Sequence, residues 1–153
     1  MSATAQAGEV SMKVAIVTGG ASGIGRAIAA ALVAGGTRVT VADLNEAGAK
    51  EVAAELSATG PGTAVAGRLD VTEAAAVADL YRSVRRDAGR LDLVFNNAGI
   101  AIGGLAEELG LEHWDRAIDV NLKGVVHGVH AAYPIMLEQG YGHIVNTASL
   151  AGL

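Results

Sequence analysis

Residues 14–25 read VAIVTGGASGIG, and the fold turns on how the glycines in the second half of that stretch are used. Val14 to Val17 is an unbroken apolar run, as a parallel strand covered on both faces requires. After the glycines, Ile24, Ala27, Ile28, Ala31 and Leu32 recur at the spacing of one helix face until Gly35 and Gly36 stop the pattern. Strand, glycine loop and helix in that order form the setting of a phosphate-binding loop. One glycine lets the chain turn sharply, another lets backbone N–H groups approach a phosphate without a Cβ in the way, and the helix start adds partial positive charge. A glycine-rich turn kept for conformation alone has the same composition, so the loop by itself names no ligand.

The same alternation continues down the chain. Short apolar runs recur at Arg38 to Ala42, Ala64 to Leu69, Leu91 to Phe95 and His143 to Thr147. Helical patterns lie between them at Asn45 to Ala58, at Thr72 to Ala88 and from about Glu112 to Gln139. Thr72 is expected to cap the third helix, over a core stripe of Val77, Leu80, Val84 and Ala88. In the longest helix Trp114, Ile118, Leu122, Val125, Val129, Ala132 and Met136 form one apolar stripe expected to face the sheet, with Pro134 kinking it. Five strands with helical crossovers predict a doubly wound α/β fold of the Rossmann type, a parallel sheet of order 3-2-1-4-5. Residues 12–153 form that single domain; residues 1–11, MSATAQAGEVS, read as a flexible tail and lack the basic start and apolar centre of a signal peptide.

Composition narrows the possibilities. The chain has 153 residues, of which 51% are hydrophobic but only 3% aromatic, so the core is Ala, Val, Leu and Ile. A net charge of −5 gives no attraction to nucleic acid or an anionic membrane. The absence of cysteine excludes disulfides and thiolate metal sites, and no apolar run approaches the roughly 20 residues of a membrane helix. A cytoplasmic protein is expected. Of the four histidines, His127 and His130 have an i, i+3 spacing, but no cysteine or carboxylate cluster accompanies them, so no metal is expected. Asp115, Arg116 and Asp119 read as a solvated helix face.

Asp43, at the end of the second strand and about 20 residues past the loop, sits where a carboxylate accepts hydrogen bonds from an adenosine ribose. It could equally cap the next helix. Neither Leu44, Asn45 nor Ser22 is basic, and Arg38 lies about 16 Å away at ~3.3 Å per residue, so nothing in the sequence neutralises a 2′-phosphate. NAD is expected over NADP. Asn121 lies on the flank of the apolar stripe, where a partly buried amide needs a partner, since an unpaired one costs about 1–3 kcal/mol.

Taken together these residues resemble the short-chain dehydrogenase/reductase family in its TGxxxGxG subtype. Thr18, Gly19, Ser22, Gly23, Ile24 and Gly25 fit its loop, Asp43 and Leu44 its NAD-selecting acid and neighbour, and Asp70-Val71 the pair beside the adenine. Asn96-Asn97-Ala98-Gly99 is its NNAG motif, with Asn97, Ala98 and Gly99 at the cofactor. The resemblance implies Asn121 and Ser149, the latter within NTASLAG at 146–152, as catalytic residues. It further implies an NAD-dependent oxidoreductase interconverting a small secondary alcohol and a ketone, a homodimer or homotetramer paired through the helix that carries Trp114. The family's Tyr-x-x-x-Lys acid/base pair is not met: Tyr81 is followed at i+4 by Arg85, Tyr133 by Leu137 and Tyr141 by Val145. The chain therefore reads as a domain incomplete at its C-terminal end, further strands missing, and inactive by itself. The alternatives are a non-catalytic NAD-binding or interaction protein and, more remotely, a methyltransferase.

Overall fold

The computed structural model describes residues 12–150; the expected tail at 1–11 and the chain's last three residues lie outside them. Among these residues five strands are joined by helical crossovers, one α-helix in each of the first three and two in the last. The elements are β1 (Val14–Thr18), α1 (Gly23–Ala34), β2 (Arg38–Asp43), α2 (Glu46–Thr59), β3 (Thr63–Arg68), α3 (Ala74–Ala88), β4 (Leu93–Asn96), α4 (Leu111–Ile118), α5 (Gly124–Gln139) and β5 (His143–Asn146). A short 3₁₀ turn at Ala106–Glu108 precedes α4, and a π-helical turn at Asp119–Lys123 joins α4 to α5. The sheet is parallel throughout, in the order β3-β2-β1-β4-β5, the order expected from the sequence.

The central strand explains why the sheet needs helices on both sides. All five residues of β1 are buried, and successive side chains point to opposite faces. Ala15 and Val17 join one core with Ala29 and Val33 of α1 and Ala49, Val52 and Leu56 of α2. Ile16 joins the other with Val77 and Tyr81 of α3 and Ala132 and Met136 of α5.

Three local expectations are corrected. Thr72 does not cap α3: the cap position is Glu73, which makes no side-chain cap bond, while Thr72 bonds to Asp70. The single helix expected from Glu112 is divided by the π turn into α4 and α5, and α5 continues as helix through Pro134. The inward face agrees with the expected stripe at Ala132 and Met136 but departs from it toward the N-terminus, where Gly124 and Gly128 turn inward in place of Val125 and Val129. Val120, Gly124, Gly128, Ala132 and Met136 are buried, while Trp114, Ile118 and Leu122 are 53%, 43% and 59% exposed. The helix offers a bulky apolar face and a small one, and hydrophobicity alone selects the bulky one. Close approach to the sheet selects the small one, since a side chain at Gly128 would collide with Asn96 of β4.

Candidate functional site

The C-terminal ends of β1 and β4, neighbours at which the strand order changes direction, open the crevice where open α/β sheets bind ligands. The glycine loop forms one wall of it. Gly19 has φ +65°, a left-handed conformation that side chains disfavour. A Cβ on Gly25 would lie 2.1 Å from the Gly19 carbonyl oxygen, so α1 can begin this close to β1 only with glycine there. At its N-terminus, Ser22 makes no side-chain cap bond, so its hydroxyl satisfies none of the first-turn N–H groups that can hold an anion.

Thr18 stands behind this wall and does not line the crevice. It is buried, its hydroxyl donating to the Phe95 carbonyl and accepting from the N–H groups of Asn97 at 3.0 Å and Ala98 at 3.1 Å. Asn97 returns a bond from Nδ2 to the Thr18 carbonyl at 3.1 Å and accepts one from the Thr147 hydroxyl on Oδ1. The end of β1, the NNAG segment after β4 and the segment after β5 are thereby tied together by the side chains of Thr18, Asn97 and Thr147.

Asp43 closes the far end. Its carboxylate accepts from Ala21 N–H at 3.0 Å and Asn45 N–H at 2.9 Å. The cap of α2 is Asn45, which accepts from Gly48 N–H; Asp43 instead pins the glycine loop to the end of β2. Arg38 is not the cation to consider here, because Asp43 is paired in register with Arg68 of β3. Side chains directly paired in a sheet share a face, so Arg68 leaves the sheet on the same face as the acid, which no spacing along the sequence reveals. Asp70 accepts from the hydroxyl and the N–H of Thr72, bonds that hold its carboxyl below the ordinary aspartate range. His127 bonds through Nδ1 to the Val71 carbonyl at 2.9 Å, so it anchors this segment rather than lying idle on the helix surface.

These walls enclose a cavity of about 390 Å³, lined by Gly19, Ser22, Gly23, Ile24, Gly25, Asp43, Leu44, Asp70, Val71, Asn97, Ala98 and Gly99. Five more residues line it without having been read as site residues in the sequence: Leu69, Ile100, Val120, Thr147 and Arg116, the last of which was expected on a solvated helix face. Through Asn97 to Ile100 and Thr147 it adjoins a second cavity of about 630 Å³, where Asn121 and Ser149 meet Ile102, Leu109, His113 and Trp114. Asn121 is exposed rather than partly buried, yet its amide is bonded at both ends: Oδ1 accepts from Ile100 N–H at 2.8 Å and Nδ2 donates to the Ile100 carbonyl at 2.9 Å. It lies in the π turn, a feature frequent at functional sites. The donor groups fit a dinucleotide: unfilled helix N–H groups for a pyrophosphate, a carboxylate with lone pairs to spare for a ribose, and apolar Leu44, Val71 and Val120 for a flat base.

The family model for short chain dehydrogenases matches residues 13–153. A D-threitol dehydrogenase of Mycolicibacterium smegmatis is 44% identical over 139 residues, 91% of this chain and 53% of that enzyme. A short-chain dehydrogenase/reductase from Burkholderia phymatum, solved in complex with NAD, is similar with a TM-score of 0.87 at 39% identity, covering 92% of this chain and 50% of the other. The NADPH-dependent 3-quinuclidinone reductase from Rhodotorula rubra is similar with a TM-score of 0.84 at 31% identity, covering 91% and 53%. The chain spans between 53% and 62% of the length of the curated relatives it matches.

Proposed function

The chain belongs to the short-chain dehydrogenase family, and from that premise we propose that it binds NAD(H) in the glycine-loop crevice and serves hydride transfer between that cofactor and a small secondary alcohol or ketone. The observation that carries this reading is the adjoining pair of cavities, with the loop and Asp43 in one, Ser149 in the other and the NNAG segment common to both. The hydride chemistry belongs to the nicotinamide, whose place in this reading is beside Asn97 to Ile100, at the passage to the second cavity. The protein's residues hold, orient and move protons. Ser149 is assigned to hydrogen-bond the substrate oxygen. The Asn121 side chain is bonded to Ile100 at both ends, and a proton-relay water is assigned to its backbone carbonyl within the π turn.

The acid/base that completes this chemistry is not among the chain's tyrosines. Tyr81 is buried and bonded to Asn96, and neither Tyr133 nor Tyr141 lines either cavity. The 153-residue chain is therefore expected to bind cofactor without turnover. A second reading is a non-catalytic NAD-binding protein, which would use the glycine-loop cavity alone. Arg68 beside Asp43 supports tolerance of NADP, so the preference for NAD rests on the Asp43 carboxylate alone.

No helix among the described residues is long and apolar enough to cross a membrane; we assign the protein to the cytoplasm. The exposed stripe of Trp114, Ile118 and Leu122 is assigned to pairing with a second copy of the full-length protein. Calorimetric titration with NAD, NADP and S-adenosylmethionine tests the binding assignment. NAD is expected to bind most tightly; tightest binding of S-adenosylmethionine, or no dinucleotide binding, overturns it.

A further inference from the structure

The crevice that takes the dinucleotide in this reading is poor in positive charge. Two carboxylates, Asp43 and Asp70, line it, and Arg116 is the only lysine or arginine in its wall among the described residues. Arg116 stands on α4 one turn before Val120. Val120 belongs to the core cluster that includes Leu69 and Val71, so this face of the helix borders the segment at the adenosine end. Among the described residues the Arg116 guanidinium makes no ion pair and no hydrogen bond, and its charge adds to the Thr72 bonds that keep Asp70 ionised. A guanidinium is planar, always charged and weakly hydrated, suited both to stacking on a flat base and to bonding phosphate oxygens. The opposite wall supplies only backbone N–H groups and a helix end.

Resting on the dinucleotide reading above, we propose that Arg116 is a cofactor-binding residue whose guanidinium closes over the adenosine half of the bound dinucleotide from the α4 side, opposite the glycine loop. The glycine loop supplies a fixed floor, and Arg116 a movable cation that offsets Asp43 and Asp70 when a negatively charged ligand enters.

The test is calorimetric titration of the chain, and of its Arg116→Ala and Arg116→Lys variants, with NAD and with ADP-ribose, which keeps the adenosine half but lacks nicotinamide. Arg116→Ala is expected to weaken both ligands by the same factor, roughly tenfold, with Arg116→Lys recovering part of the loss because it restores charge but not the plane. Unchanged affinity for ADP-ribose overturns the proposal, as does a loss confined to NAD, which would place the side chain at the nicotinamide end. If the unaltered chain binds neither ligand, the dinucleotide reading itself fails, an outcome distinct from normal binding by all three proteins. Arg116 is exposed, so unfolding midpoints of the variants are expected to match and serve as the folding control.

Discussion

The Asp43 carboxylate accepts two backbone N–H bonds, from Ala21 and Asn45, and its remaining lone pairs face the crevice with Arg68 paired alongside. Two charges of opposite sign at one edge make coenzyme choice a balance. Asp43→Ser is expected to weaken NAD and strengthen NADP, because it removes the acceptor for ribose hydroxyls and the repulsion of a 2′-phosphate together. Arg68→Gln is expected to do the reverse, weakening NADP several-fold and sparing NAD. Titrating both variants with both dinucleotides checks this, and a shift of both ligands by one common factor in either variant would falsify the balance. Asn121 is a second residue whose role changed once its contacts were seen. Its type and its place in the helix were legible in the sequence, but not that its amide clamps Ile100 from both sides. Asn121→Ala breaks two bonds at an exposed position and is expected to cost about 1–2 kcal/mol. The accompanying sign is faster amide exchange through the segment after Ile100; exchange unaltered there would mean that the clamp holds nothing.

At the level of elements, the crevice depends on three loops held at a fixed spacing by Thr18 and Asn97. Thr18→Val keeps the shape but removes the acceptor for two part-buried N–H groups, those of Asn97 and Ala98. The expected loss is about 2–3 kcal/mol of stability, with weakened dinucleotide binding, read from denaturant unfolding and calorimetry. Gly25→Ala acts on the same wall by another route, driving a methyl group into the Gly19 carbonyl. The glycine loop was readable because its residues are consecutive and each glycine meets a local backbone demand. The long helix was not, because its pattern admits two faces. Choosing Val120, Gly124 and Gly128 over Ile118, Leu122 and Val125 depends on how near the sheet lies, and the π turn that carries Asn121 leaves no periodic mark over five residues.

For the whole molecule, the edge of the sheet opposite the crevice is braced by Asp92. This buried carboxylate accepts from Val14 N–H and pairs with Arg90. Burial works against its ionisation, but the bonds from Arg90 and Val14 prevail and hold the carboxyl below the ordinary aspartate value. A group whose folded-state pKa is depressed stabilises above its unfolded value, about 3.9, and loses that contribution as the pH falls through the folded-state value. Asp92→Asn is therefore expected to cost about 2 kcal/mol at pH 7, with the gap from the unaltered chain closing in strong acid. A constant gap from pH 7 to pH 2 in denaturant unfolding would show that charge plays no part. On the outside, Trp114 and Leu122 are exposed apolar residues of the α4 and π-turn surface. Leu122→Glu is expected to abolish association of the full-length protein in sedimentation while sparing dinucleotide binding; unchanged association would remove this face as the pairing surface. Strand order, the glycine loop and the acid at the end of β2 could be read from the sequence, because each is set by periodicity, by local backbone geometry or by chain order in a right-handed crossover. Which helix face is buried, that Arg68 pairs with Asp43 and Arg116 stands at the crevice, and that Thr18 and Asn121 bind backbone were decided only by the tertiary structure. Those properties arise from residues 20 to 80 positions apart, brought together when the sheet registers and the helices settle against it.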